Sequence, residues 1–426
     1  MTGLIGENRR LALASVLGIN ALPLVGIVWF GWHASTLLVL YWFEAGVVLL
    51  RGAFEGLFAA LPAGPAGRGH VFPFDELQSK RGSLRVVGWL PPIYPRNVPV
   101  VLNTLIVLAL IWPLAGVGVY AVVVDGPLSP GAPSSVALAA GGIVLGHGIT
   151  AIESLRSGRY ERESAHSVLS QRHVVGLLLS LLPGALWADA ADGAGAVGAW
   201  LGLAAIVCAK FAFDLYEWSA TGSDDPSRIE RLVSRVRADS IGEEQSVETP
   251  DGEPVERIRP DARAVRLRGA ALGAVHGVLP LSGLVLAGAT GLTWLWLGLA
   301  EALLVAVVCL LPSVLAHLLA QDVQFGHLEY RIYESDLVAY DRLLAAPQWR
   351  LPLDALSECH AASDPIDRRT SLNTGTIRIE RRDGETERLA FLPDADGTAS
   401  RLEARSRGEA HSRGSDAVAR ERGGQS

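Results

Sequence analysis

Eight apolar stretches dominate the chain, and they constrain its fold more than any other feature. They lie at about 11–31, 35–59, 98–124, 133–152, 173–188, 194–216, 264–288 and 291–319. A helix needs roughly 20 apolar residues to cross a bilayer, and these runs come near that length, the fifth being the shortest. The connecting segments alternate in charge. Those after the first, third, fifth and seventh stretches are short and hold neither Lys nor Arg: GWHAS, DGPLSPGAPS, DAADGAG and GATG. The others hold the cations: Arg68, Lys80, Arg81, Arg85 and Arg96, then Arg156, Arg159, Arg162 and Arg172, then the Arg-rich segment 219–263. Loops rich in Lys and Arg stay in the cytoplasm. The pattern therefore predicts four helical hairpins that turn outside, in the cell membrane, with both termini cytoplasmic.

Composition agrees. Half of the residues are hydrophobic, the mean hydropathy is +0.30 and the net charge is −7. Without a basic excess, a nucleic-acid partner is not expected. The partner implied by the pattern is the lipid bilayer. Cys208, Cys309 and Cys359 lie far apart with no CxxC pair, so neither a disulfide framework nor a metal site is indicated. Arg9 and Arg10 precede the first stretch. That stretch contains Pro23 and is longer than a signal-peptide core, so it reads as a retained span.

The first and last hairpins can be laid over each other without a gap. LPLVGIVWFG (22–31) matches LPLSGLVLAG (279–288), and Glu44 then falls on Glu301. A duplicated hairpin and chance matching in an Ala/Leu/Gly-rich chain both account for this. Pro23, Pro113, Pro183 and Pro280 fall within outward-running stretches, where a proline frees a carbonyl and permits a kink.

Charged residues inside such stretches are the candidate functional residues, because a charge near the bilayer centre costs roughly 2.5–3.5 kcal/mol or more. Glu44 and Glu301 each lie some ten residues from the outer edge of their stretch, ~15 Å deep at ~1.5 Å per residue. Arg51 shares the Glu44 face but is ~10 Å further along, so its natural partner is Glu55. Lys210, Asp214 and Glu217 form one stripe at i, i+4 and i+7. His147 is followed by Gly148 in the fourth stretch, and His276 is similar. Glu44, Arg51, His147, Lys210, Asp214 and Glu301 would together line a polar cavity open to the cytoplasm, with the two glutamates at its deep end. Two readings stay open. The polar residues are hydrogen-bonded glue between helices, or Glu44 or Glu301 is a working, protonatable carboxylate.

Other motifs carry no chemistry. GAGAVG at 193–198 matches GxGxxG, but no strand precedes it. The chain holds no Walker A sequence, HExxH or GxSxG. No catalytic residue and no cofactor is predicted.

Beyond residue 320 the texture changes. HLEYRIYESDLVAYDR breaks at Glu334–Asp336, as two strands joined by a turn do. QWRLPLDAL and SECHAAS read as further strands. In TGTIRIERRDGETERLAFL, Ile377 and Ile379 alternate with charges and Asp383–Gly384 marks a turn. The segment PSRIERLVSRVRADS reads as a short surface helix within 219–263. The predicted organisation is a six-helix membrane domain (1–218), a polar cytoplasmic loop (219–263), a transmembrane hairpin (264–320), a cytoplasmic all-β domain (326–400) and a disordered tail (402–426).

Two resemblances extend this reading. Tyr330 to Asp341, RLPLDAL and TGTIRIE resemble the bacterial pleckstrin-homology-like domains often attached to membrane spans. That likeness implies a scaffold or assembly module with a protein partner. Over about 11–219, Tyr41-Trp42-Phe43-Glu44, His147-Gly148 and Lys210 with Asp214 resemble an uncharacterised prokaryotic membrane family, domain of unknown function 6498. That family usually follows the first motif with Asn, where this chain has Ala45. The likeness marks Glu44, His147, Lys210 and Asp214 as residues that matter, without a reaction. The expected function is that of a non-enzymatic membrane scaffold or partner-binding protein. The alternative is a proton-coupled transporter or channel-like protein that uses a buried glutamate.

Overall fold

The computed structural model describes residues 34–63, 74–124, 132–169, 247–278, 281–363 and 374–407, together with Phe211, Trp32 and isolated helical residues between 14 and 29. The expected first, fifth and sixth spans, and the expected surface helix within 219–263, lie largely or wholly outside these residues. The chain divides into two units. One holds residues 1–78 and 85–244, and the other holds 79–84 and 245–426.

In the first unit, α1 (Ala34–Phe58), α2 (Val98–Val124) and α3 (Ala132–Arg156) fall on the second, third and fourth apolar stretches. The α1 helix packs Leu37, Leu40, Tyr41, Ala45 and Val48 against Ala139 and Ile143 of α3, a spacing that builds one helical stripe. The C-terminal ends of α1 and α3 lie side by side. Ala60 and Leu61 donate their N–H groups to the carbonyls of Tyr160 and Glu163 at 2.8 and 3.0 Å. The two helices therefore run the same way. Antiparallel to α1, α2 brings Val101 against Ala53. The last carbonyls of a helix lack helical partners. Here Tyr94 N–H donates to the Leu57 carbonyl at 3.1 Å and, just past the helix, Asn97 Nδ2 donates to that of Ala59 at 2.8 Å and buried Arg96 to that of Ala60.

The second unit is built on a β-domain whose first strand is separated from the rest in sequence. Strand β1 (Glu256–Ile258) pairs antiparallel with β2 (Leu328–Ile332), placing Ile258 opposite Tyr330. Between them come α4 (Ala262–Val278), α5 (Leu281–Trp296), α6 (Leu299–Gln321) and a single π turn, Asp322–Gly326. A helical hairpin is thus inserted between two neighbouring strands of one sheet. Asp261 caps α4 by accepting the N–H groups of Arg263 and Ala264 at 2.8 and 2.9 Å.

Strands β3 (Asp336–Asp341) and β4 (Ala346–Pro352) complete a four-stranded antiparallel sheet in the order β1-β2-β3-β4. A second antiparallel sheet has the order β5 (Leu356–Ala362), β6 (Gly375–Arg381), β7 (Thr386–Leu392). Both contribute to one core, with Ile332, Leu337, Leu351, Ile377, Ile379 and Leu389 fully buried. In β6 the isoleucines point inward while Arg378 and Glu380 are exposed, so alternation decides the face. A bulge in β7 puts Phe391 at φ 59° and turns it onto Phe325, Ala264 and Val265. Ala390 in the bulge donates its N–H to the Tyr330 hydroxyl at 3.0 Å, and the Phe391 carbonyl accepts from Asp261 at 2.8 Å. The bulge thereby anchors the start of α4.

Several expectations are corrected. The seventh span, expected over 264–288, falls on two described helices, α4 up to Val278 and α5 from Leu281, and residues 279–280 lie outside the described residues. The eighth, expected from 291, starts at Leu299 because Gly298 takes φ 119° and interrupts the helix. Two helical stretches among the described residues, Val136–Arg156 and Leu299–Gly326, are long and apolar enough to cross a membrane, where eight were expected. The α1 helix carries Glu44, Arg51 and Glu55, while α4 and α5 have 17 and 16 residues. The α2 helix has 27 residues without a charge, although not all of its side chains are among those described. The β-domain begins at β1, inside the segment read as a polar loop. It ends in a helix over 395–407 that crosses the expected boundary at 400 and the first residues of the expected tail. Ala395, Ala399 and Leu402 form its buried stripe, hidden in the sequence among charged neighbours.

Candidate functional site

Among the described residues of the first unit, α1 buries Thr36, Glu44, Arg51 and Glu55. Glu44 is the eleventh residue of that helix, ~15 Å along its axis from Ala34, and is 3 % exposed. His147, from α3, presents Nε2 to Glu44 Oε1 at 3.2 Å. The contact follows from the α1–α3 stripe: two turns beyond Leu37 and one beyond Leu40 on α1, Glu44 meets the residue one turn beyond Ile143 on α3. His147 is also buried, and its Nδ1 has no hydrogen-bond partner among the described residues. A carboxylate and an imidazole in this arrangement can hold one proton between them.

Two turns further along α1, Arg51 Nε meets Glu55 Oε1 at 2.8 Å, with both side chains 7 % exposed. The spacing is i, i+4. The pair is enclosed by protein, not displayed at the surface as a snorkelling arginine would be.

The other face of α1 holds a reciprocal contact that sequence reading missed. Trp42 of α1 and Trp112 of α2 stack with ring centroids 4.4 Å apart and planes 5° from parallel. Each indole N–H donates to the other's main-chain carbonyl at 2.9 Å. A Cβ added at Gly46 would lie 2.7 Å from the Trp112 ring, and one at Gly116 would lie 2.7 Å from the Trp42 ring. Each tryptophan therefore lies over the glycine four residues beyond the other. The signal was present as W-x-x-x-G in both stretches, which only reads as a pair once the helices are known to be antiparallel.

The remaining candidates are distributed differently. Lys210 and Asp214 lie outside the described residues. Glu301 is the third residue of α6 and is exposed. It was expected near mid-span and matched to Glu44. Instead it sits in a first helical turn, where the helix dipole favours a carboxylate. The structure thus brings together Glu44 and His147, sets Arg51 beside Glu55 on the same helix, and removes Glu301 from a deep position in its helix.

The hairpin of the second unit has polar contacts of its own. Gly269 and Gly273 let α4 approach the α6 backbone, and Gly277 faces the Leu310 side chain; a Cβ at Gly273 would lie 2.5 Å from Val314 Cα. Along this seam His276 Nδ1 lies 2.8 Å from His317 Nε2, and Ser313 Oγ donates to the Gly273 carbonyl at 2.9 Å. No group of three or more potential metal ligands occurs among the described residues.

The model of a family of unknown function (DUF6498) matches residues 5–240, more than half of the chain. No curated protein and no solved structure matches it.

Proposed function

Because the chain belongs to this family of unknown function, its role has to be inferred from its own residues. We propose that it is a multi-pass protein of the cell membrane with cytoplasmic termini, acting as a non-enzymatic scaffold. Its buried polar pairs specify how the helices pack. Its C-terminal part is a pleckstrin-homology-like domain that binds a protein partner in the cytoplasm. The observation that carries the scaffold reading is the state of Glu44, buried at 3 % exposure and engaged by His147 of a neighbouring helix. Placement in lipid is supported by the outward apolar side chains of α2, α3 and α6, such as Leu114, Leu138, Leu145 and Leu304, each more than 60 % exposed. The domain reading is supported by four-stranded and three-stranded antiparallel sheets over one core that a helix closes.

The second reading, proton-coupled transport through Glu44, is favoured by one observation. The Nδ1 atom of His147 is buried without a hydrogen-bond partner among the described residues and so leaves a second proton position beside the carboxylate. Purified protein in lipid vesicles separates the readings. For the scaffold, Glu44→Ala lowers unfolding stability by about 1–2 kcal/mol, and neither form moves protons after an acid pulse. Proton flux in the native protein, abolished by Glu44→Gln at unchanged stability, would replace the scaffold with the transporter.

A further inference from the structure

Residues Ser79–Leu84 are more than 170 positions from β1 in sequence, yet they belong to the unit that contains the β-domain. They are held there as a bound peptide is held. Lys80, one of only two lysines in the chain, is 3 % exposed. Its Nζ lies 2.8 Å from Asp341 Oδ2 and donates to the Gln324 carbonyl at 2.7 Å. Asp341 is itself fully buried, and its other oxygen accepts the N–H groups of Leu343 and Leu344 at 2.8 and 2.9 Å. The turn after β3 therefore aims this carboxylate before any lysine arrives.

The next residue is read through its backbone. Arg81 N–H donates to Gln348 Oε1 at 2.9 Å, and Gln348 Nε2 donates to the Arg81 carbonyl at 3.0 Å. Gln348 lies on β4, an edge strand of its sheet, so its amide supplies the two-point pairing that another strand would supply. Gly82 follows at φ 94°, and a Cβ there would lie 2.9 Å from those of Leu344 and Ala346. Both the backbone angle and the space demand glycine. Burial works to lower the Lys80 pKa, and Asp341 opposes it. A segment that only joins two helices has no need to bury an ammonium group, an arrangement that is costly unless the partner is well placed.

We propose that Asp341, the Gln324 carbonyl and Gln348 form a peptide-binding site on the β-domain for a Lys-x-Gly sequence, and that this chain's own Ser79–Leu84 is its occupant. The site has a cation pocket, a main-chain clamp and a glycine gate, three determinants within three consecutive residues.

The test cuts the covalent tether. Within one chain, a tethered segment binds at high effective concentration even if its own affinity is weak. Protease sites are placed between Ala63 and Phe74 and at Gly88, beside exposed Val86 and Trp89, in the full detergent-solubilised chain. After double cleavage the released segment is followed by mass spectrometry. Isotope-labelled synthetic peptides covering 75–88 then compete for the site as the native sequence, Lys80→Met or Gly82→Ala. Retention of the segment, with the native peptide exchanging in and both variants at least about 30-fold weaker, is the expected result. Immediate loss of the segment, with no binding of the native peptide, overturns the proposal. So does retention with all three peptides competing equally. The variants reside in the peptide, so folding of the chain does not enter.

Discussion

At the residue scale, the groups that matter are those whose burial is compensated. Glu44 stood out in the sequence as a carboxylate among Leu, Val and aromatic residues, and His147 as a lone imidazole. Their pairing did not, because 103 residues separate them and the rotation of each helix about its axis is a tertiary property. Cys359 is the converse case, a buried free thiol. Burial, with the nearby negative charge of Glu403, pushes it from 9.0 up to about 11. Folding therefore favours the protonated thiol. Its contribution is complete below pH 9 and is lost as pH rises toward 11. In a chain carrying Cys208→Ser and Cys309→Ser, the unfolding midpoint is expected to fall between pH 9 and pH 11. Cys359→Val should flatten that part of the profile. Alkylation of Cys359 at pH 8 should wait for unfolding.

At the scale of elements, two helix pairs use glycine in different ways. In α1 and α2, Gly46 and Gly116 make room for indole rings; in α4, Gly269 and Gly273 make room for backbone, and Gly277 for the Leu310 side chain. Gly116→Ala places a methyl against the Trp42 ring and is expected to destabilise the first unit by about 1–3 kcal/mol. Gly46→Ala should do the same against Trp112. The double variant should cost less than the sum, because both changes disturb one stacked pair. Thermal unfolding in detergent measures all three. The strands β2 to β7 were readable because alternation and turn residues mark them locally. By contrast, β1 has only three residues, too few to show a period, and lies in a charged segment. The helix over 395–407 was hidden because its buried stripe consists of two alanines and a leucine.

At the scale of the molecule, sequence reading placed the β-domain after the last hairpin, whereas the structure threads the hairpin through it. Contiguity is the default assumption in reading domains, and nothing in Glu256–Ile258 signals a partner some 70 residues onward. A fragment starting at residue 327 therefore lacks an edge strand and exposes the open side of β2. It is expected to aggregate, while the same fragment with residues 250–259 joined to it by a short linker should be more soluble. Size-exclusion chromatography of the two checks this. The threading also sets an order of events during synthesis. At about 5–20 residues per second, β1 leaves the ribosome several seconds before β2 exists. In that interval the hairpin must find its own place. Closing the sheet then reports that the hairpin has been delivered, and a chain whose hairpin goes astray is left with an unmatched edge that quality-control proteases can recognise.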